Sequence, residues 1–446
     1  MSSESPCLPR KTVPFVLGIV LALAGTAPAQ ILTVGQVTAK PVMRSNFGLA
    51  EDPKPKDEKP LPKYTVGECI AIAQERQPKL KALRASVAAS QAGQRGLDGA
   101  RWLVHLTPDY KSRVQQSSLG VCAASAELEQ ATHDVTQAVV WTYYSVVYAQ
   151  QQVIVASDAV EFVDFYRKQV ETIVNSKEGG NREINQLTLN RLIASLAEGE
   201  RLLIKARAGY DKAQAGLREA MGVDHEYYFL PADEALPDFG KFEIVKETVI
   251  AHAQTRRGEV ILAGLASEVT RLEAYIQWSL RLRYRTTTFA NGADIHSRSL
   301  PPGSKDGEYR PDAVGPEMPP TMFGDRNSRT QKAWAYVDRS KAVLEKTRNL
   351  VTLEAEVAFI DWRQAGEAMI RAKRQADAGS ANLKSLKEVA GDKVSTTATL
   401  QQLLEAQRDS SQGMAAFNEA IYLRIVALAN IERITAGGIK INYPGR

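Results

Sequence analysis

The chain has 446 residues, 44% of them apolar and 24% charged, and carries a net charge of +5 with both signs mixed along its length. That is ordinary globular balance, in a chain long enough for two domains or one large duplicated one. No arginine-rich arm and no basic stripe with interleaved aromatics is present, which argues against nucleic acid as a partner.

Residues 1–29 read as a secretory signal. Arg10 and Lys11 form a charged start, and the 13-residue run from Val13 to Gly25 is apolar. That run is too short to span a bilayer as a helix. Ala27-Pro28-Ala29 is a small-x-small cleavage pattern and predicts a mature start at Gln30. An uncleaved anchor is the alternative. No later segment offers about 18 uninterrupted apolar residues, so any membrane entry of the mature chain is expected as a β-barrel.

Residues 30–63 are rich in Pro and Lys, as in Asp52-Pro53-Lys54-Pro55-Lys56, and read as an extended linker. Helical patterning begins at Thr65 and runs to about Trp102, and Val104 to Ser125 reads as a polar connector. A second helix is predicted over Ala126 to Val174. Its Val139, Val146, Val153 and Val160 step by seven, beside Leu128, Val135, Thr142, Ala149 and Ala156. Lys177 to Asn181 reads as a turn. Beyond it Leu189, Leu196, Leu203, Tyr210 and Leu217 again step by seven, next to a small-residue row of Gly199, Ala206, Ala213 and Ala220. Large residues against small ones allow close interdigitation of helices. The pair predicts a long antiparallel hairpin, with a spectrin-like or adaptor-type coiled-coil arm as the alternative reading.

The chain then repeats itself. Ala73-Gln74-Glu75-Arg76 recurs as Ala253-Gln254-Thr255-Arg256, an offset of 180 residues, each followed by a helix-restricting residue, Pro78 or Gly258. The hairpin recurs at an offset of 216, pairing Tyr143 with Phe359, Ala149 with Ala365 and Gln186-Leu187 with Gln402-Leu403. The expected division is therefore repeat 1 over 64–222, a link over 223–242, repeat 2 over 243–438 and a tail over 439–446. Repeat 2 holds 36 extra residues in its connector, the difference between the two offsets, with a Pro/Gly-rich insertion at 286–329. That connector opens with Leu280-Arg281-Leu282-Arg283-Tyr284-Arg285-Thr286, an apolar/basic alternation typical of a strand. A basic extension of the preceding helix is the alternative.

Catalytic and metal-binding chemistry is missing. His105, His133, His225, His252 and His296 form no pair at metal-ligand spacing. There is no phosphate-binding glycine loop and no nucleophile elbow. Asp224-His225-Glu226 reads as a solvated turn, and Trp141, Tyr143 and Tyr144 as packing residues. Cys7 leaves with the signal, while Cys69 and Cys122 are expected to be unpaired, half-buried thiols. No cofactor and no enzymatic activity is expected.

This organisation resembles the TolC family of outer-membrane efflux proteins from Tyr64 to Gly438. Tyr64-Thr65-Val66 through Ala73, Pro78 and Leu80 is similar to the family's opening helix. Leu403-Leu404-Glu405-Ala406-Gln407-Arg408 is similar to its Leu-Asp-Ala-Gln stretch beyond the periplasmic tip. The resemblance implies a mainly α fold of duplicated long antiparallel hairpins, a TolC-like α-barrel protomer with a small and perhaps shortened β-barrel portion. It implies a homotrimer with four helical strands and four β-strands per protomer. It further implies a passive exit duct across periplasm and outer membrane, working with a periplasmic adaptor and an inner-membrane pump. A periplasmic helical scaffold or adaptor with a degenerate barrel is the alternative. Glu405 and Gln402, with Gln186 in the mirrored hairpin, fall at the family's periplasmic aperture. A barrel would direct Arg281, Arg283 and Arg285 to its lumen and Leu280, Leu282 and Tyr284 to lipid.

Overall fold

One residue breaks the opening helix of each repeat at the same place. In a computed structural model, which describes residues 61–100, 107–175, 184–240, 243–281, 283–288, 318–390 and 397–443, helix α1 spans Val66–Arg76 and α2 spans Pro78–Gly99. Their counterparts in the second repeat are α5, Lys246–Arg256, and α6, Gly258–Ser279. Each pair has 11 and 22 residues, displaced by 180. Pro78 is tolerated because the first helical position needs no N–H partner. Thr65 starts α1 with a capping box: its hydroxyl accepts from the Glu68 amide at 3.3 Å, and its own amide donates to the Glu68 carboxylate at 2.8 Å.

The predicted helix from Thr65 to Trp102 is thus two helices, and it ends by Gly99. The expected connector from Val104 to Ser125 is also corrected. Helix α3 begins at Tyr110 and runs unbroken to Asn175, 66 residues or about 100 Å. The polar residues of its first turns are paired across helices, so they do not end it: Arg113 and Gln116 both reach Glu273 of α6. Helix α7, Arg326–Ala390, repeats α3 at the expected offset of 216. The hairpins are closed by α4, Gln186–Met221, and α8, Thr397–Ile434.

Helix α3 packs against α4, α8, α2 and α6, and α7 packs against α8, α6 and α5. The two long helices therefore carry the assembly, and the shorter helices fill between and beside them. The main core joins α1, α3, α4 and α8 through Val66, Leu80, Val139, Tyr143, Met221 and Leu428. Each such side chain contributes about 1.5–3 kcal/mol when fully buried. Tyr143 and Tyr144 are fully buried, as expected for packing residues, but Trp141 is half exposed. Near the tips the helices approach closely through small residues. A Cβ on Gly413 would lie 3.0 Å from Ala376 Cα, and one on Gly379 would lie 3.1 Å from Ser410 Cα. The most apolar stretch of α8 has the length and composition of a membrane span, yet half of it is buried within the bundle.

Sheet is scarce among the described residues. β1, Lys63–Tyr64, pairs in parallel with β2, Leu230–Pro231, tying the linker's end to the segment after repeat 1. β3, Arg285–Thr287, pairs antiparallel with β4, Thr321–Phe323. The strand expected from Leu280 to Thr286 therefore starts only at Arg285. Leu280 caps α6, and its carbonyl accepts from Arg329 Nη2 at 2.7 Å. That buried arginine holds the chain in a turn, which also removes the alternative of a continued helix. Only 10 residues separate α2 from α3, against 46 between α6 and α7. A membrane hairpin needs about 20 residues before its turn is counted. The first connection is too short for one, so the expected four β-strands per protomer are not built. The signal segment, the turn at 177–181 and residues 289–317 of the insertion lie outside the described residues.

Candidate functional site

The aperture residues lie where the hairpins turn. Asn185 caps α4, its side-chain oxygen accepting from the amides of Leu187 at 3.0 Å and Thr188 at 3.2 Å. This fixes Gln186 at the first helical position, exposed, with its amide donating to Asn190 at 3.2 Å. A local core of Tyr166, Val170, Ile184, Leu192, Leu400 and Leu403 binds the end of α3 and the starts of α4 and α8 into one unit. Gln402 and Glu405 are exposed, three residues apart on α8, while Leu403 and Ala406 between and beside them are buried. Three-residue spacing gives the two polar side chains one shared helix face. The structure thus brings Gln186, Gln402 and Glu405 to the same end of the bundle.

The three arginines of the expected lumen lie at the opposite end of the long hairpins. Arg281, Arg283 and Arg285 are all exposed. Arg285 stacks over Phe323, its cross-strand partner, with the guanidinium 5.3 Å from the ring centre. Between these residues and the helices lies a buried polar network that sequence reading did not find. Glu273 accepts from Arg113 Nη1 at 2.6 Å, Gln116 at 3.2 Å and Gln277 at 2.8 Å. Arg113 also donates to the Thr287 carbonyl at 3.0 Å, and the Thr286 hydroxyl donates to Gln277 at 2.6 Å. The network fastens β3 to α3 and α6.

A second network lies at the break of the opening helix in repeat 2. Arg257 donates to Glu354 and, at 2.8 Å, to Glu259. Arg433 reaches the other Glu354 oxygen at 2.5 Å and Asp134 at 3.6 Å. Burial works against the Glu354 carboxylate, but Arg257 and Arg433 outweigh it and hold its pKa below the usual range. In repeat 1 the matching residue is Gln77, whose side chain donates to the Glu219 and Ala220 carbonyls at the end of α4, 3.1 Å each. The position just before each helix break is therefore an anchor to the hairpin. That position, Gln77 or Arg257, was the available signal.

Beside Arg433 a groove of about 610 Å³ opens between α3, α7 and α8, lined by Asp134, Trp141, Asp361, Leu423 and Arg433 among others. No group of three His, Cys, Asp or Glu residues able to hold a metal occurs among the described residues. His225 is exposed beside Asp224, 2.7 Å away, as expected for a solvated turn. Cys69 is buried and Cys122 exposed, so neither is half-buried as expected, and both are free thiols. Burial pushes the Cys69 thiol up to about 12, with Glu68 adding to it.

No family model matches the sequence, and no curated protein matches it. Solved structures do. The open-state MtrE outer membrane channel of Neisseria gonorrhoeae aligns with a TM-score of 0.64 and 14% identity, over 84% of this chain and 89% of that chain. The CmeC outer membrane channel of Campylobacter jejuni gives 0.63 and 12%, over 90% of this chain and 94% of that chain. The outer membrane protein VceC of Vibrio cholerae gives 0.61 and 12%, over 84% and 97%. At these identities the likeness is one of fold, and it extends over both repeats. The chain has the mainly α, TolC-like fold of outer-membrane channel proteins.

Proposed function

We propose that this chain is the protomer of an outer-membrane exit duct for small molecules. The observation that carries the reading is the duplicated pair of long hairpins, equal in element length and matched over nearly their whole length by outer-membrane channels. In this reading the protein catalyses nothing. A pump in the inner membrane and a periplasmic adaptor supply energy and contacts, and this chain supplies the conduit. Three copies close the tunnel. The exposed Ile154, Phe165, Leu187, Ile193, Ile204 and Val357 along the arms support such assembly, since one protomer leaves them uncovered.

Glu405, with neutral Gln402 and Gln186 near it, forms the narrow periplasmic end. Arg281, Arg283 and Arg285 border the lumen at the other end. Membrane fractionation together with conductance across planar bilayers tests the reading. A membrane-bound, conducting trimer is expected. A chain found wholly in the soluble periplasm would sink it.

A second reading is a periplasmic scaffold or adaptor with a degenerate barrel. The short connection between α2 and α3 favours it: a trimer with one hairpin per protomer has six strands, fewer than the eight of the smallest outer-membrane barrels. The same fractionation separates the two.

A further inference from the structure

At the end of the bundle where β3 and β4 lie, apolar aromatic rings stand in water. Tyr275 is 46% exposed, Trp278 54% and Trp334 36%. Tyr275 and Trp278 follow Arg271 at four and seven residues on α6, which places all three on one helix face. Trp334 packs edge-on against Tyr275 from α7, ring centres 5.5 Å apart. Each α6 aromatic also carries an arginine. Arg271 lies over Tyr275 at 5.6 Å, and Arg326 lies over Trp278 at 4.8 Å.

The two arginines differ in what they have left to offer. Arg271 is paired with Glu268. Arg326 gives only its Nε to the protein, at 2.7 Å to the Trp278 carbonyl, and its two Nη groups have no acceptor among the described residues. Neither indole N–H has one there either. Basic side chains are in excess around them: residues 268–288 and 321–334 hold seven Lys or Arg and three Asp or Glu. Of those three, Glu273 is engaged by Arg113 and Glu268 by Arg271.

We propose that this face, Tyr275, Trp278, Trp334 and Arg326, binds the headgroup layer of an anionic phospholipid bilayer. Trp and Tyr suit a boundary that is apolar on one side and wet on the other. An Arg fixed on an indole presents its free N–H donors to phosphate while its stem stays on apolar surface. Charge complementarity selects this occupant: a purely apolar partner would leave the Arg326 donors unpaired. The inference rests on the outer-membrane reading for its setting but not on a conducting pore. It gives the chain a membrane contact through helix ends, which matters because the first connection is too short to add strands.

The test uses the purified full chain diluted from detergent into vesicles of phosphatidylcholine alone or with one third phosphatidylglycerol. Flotation should favour the anionic vesicles, and high salt should reduce that preference. Arg326→Gln should weaken binding about fivefold, Trp278→Ser should weaken it further, and Arg326→Lys should retain most of it. Lipids brominated near the headgroup should quench tryptophan fluorescence in the wild type more than in Trp278→Ser. Equal binding to both vesicle types overturns the inference. So does an Arg326→Gln change in oligomer mass without a change in flotation, which makes the face a contact between copies. Conductance separates this result from the duct reading: selective binding without conductance sinks the duct alone, and conductance without lipid preference sinks this inference alone.

Discussion

Arg113 Nη1 stands 2.6 Å from Glu273 Oε2 across the contact of α3 with α6, and Glu273 has no solvent exposure. Four donors converge on one carboxylate and its neighbours there, including Gln116 and Gln277. Removing one partner of a buried pair leaves the other charge uncompensated and costs about 3–5 kcal/mol. Glu273→Ala is therefore expected to lower the thermal midpoint strongly in detergent. Replacing both groups, Arg113→Met with Glu273→Leu, should recover much of the loss. A double variant as unstable as the single one would show that the network is not held by its charge balance.

The Glu354 site makes stability depend on pH in a definite direction. Its carboxylate is depressed in the folded chain, against an ordinary value of 4.5. The stabilisation is therefore present above about 4.5 and is lost as pH falls below that value through the lower folded one. Denaturation monitored from pH 7 to pH 3 should show this loss. Glu354→Gln should be less stable at pH 7 and should show a flatter acid limb. An unchanged acid limb in that variant would remove Glu354 as the cause.

Gly222 ends α4 at φ +66°, and a Cβ there would fall 2.7 Å from Gln77 Cα and 2.9 Å from Gln77 N. Both contacts are backbone, so nothing can swing aside. Gly222→Ala is expected to destabilise by more than the ~1 kcal/mol of a left-handed alanine alone. Gly264, inside α6, meets nothing within 4 Å. Gly264→Ala should stabilise by about 0.5–1 kcal/mol, because alanine has the higher helix propensity. Thermal midpoints of the two variants should move in opposite directions.

The two thiols should differ sharply in reactivity. The thiolate is the nucleophile, and burial lifts Cys69 to about 12 while Cys122 is exposed. At pH 8 an alkylating reagent should label Cys122 and spare Cys69 until the chain unfolds. Because the folded pKa of Cys69 lies above its ordinary 9.0, its contribution to stability is full below pH 9 and falls as pH rises from 9 towards 12. Equal labelling of both in the native state would contradict the packing around α1.

The long arms were legible in the sequence because heptad rows are local and repeat many times. Leu189 and Leu217 stand at the expected seven-residue positions of α4, and both are buried. The duplication was legible from one four-residue echo, and the helix lengths of the two repeats follow its 180-residue offset. The start of α3 was hidden. Gln116 and Arg113 look like loop residues, and only their partners on α6, some 160 positions away, make them helical. The strand after Leu280 was overread, since alternation says nothing about Arg329 capturing the Leu280 carbonyl. Buried ion pairs such as Arg257 with Glu354 leave no periodic trace, because their partners belong to different helices.

Glu405 offers the sharpest test of the duct. It is exposed on α8, one turn beyond the buried Leu403 that packs the hairpin tips together. Packing therefore fixes its helix face without using its charge, and its substitution should leave folding alone. In a trimer three such carboxylates surround one axis, and a ring of like charge in a confined path attracts cations and disfavours anions. Gln402, on the same face, adds no charge, and neither does Gln186 at the mirrored tip, so the ring is weaker than one with two acids per protomer. Glu405→Gln is expected to lower cation preference in single-channel recordings without changing trimer mass. Gln402→Glu should raise that preference and make it more sensitive to salt, since exposed charges are screened over about 8–10 Å at ordinary ionic strength. If selectivity is unchanged in Glu405→Gln while the channel still conducts, Glu405 faces away from the pore and the aperture lies elsewhere on the tips.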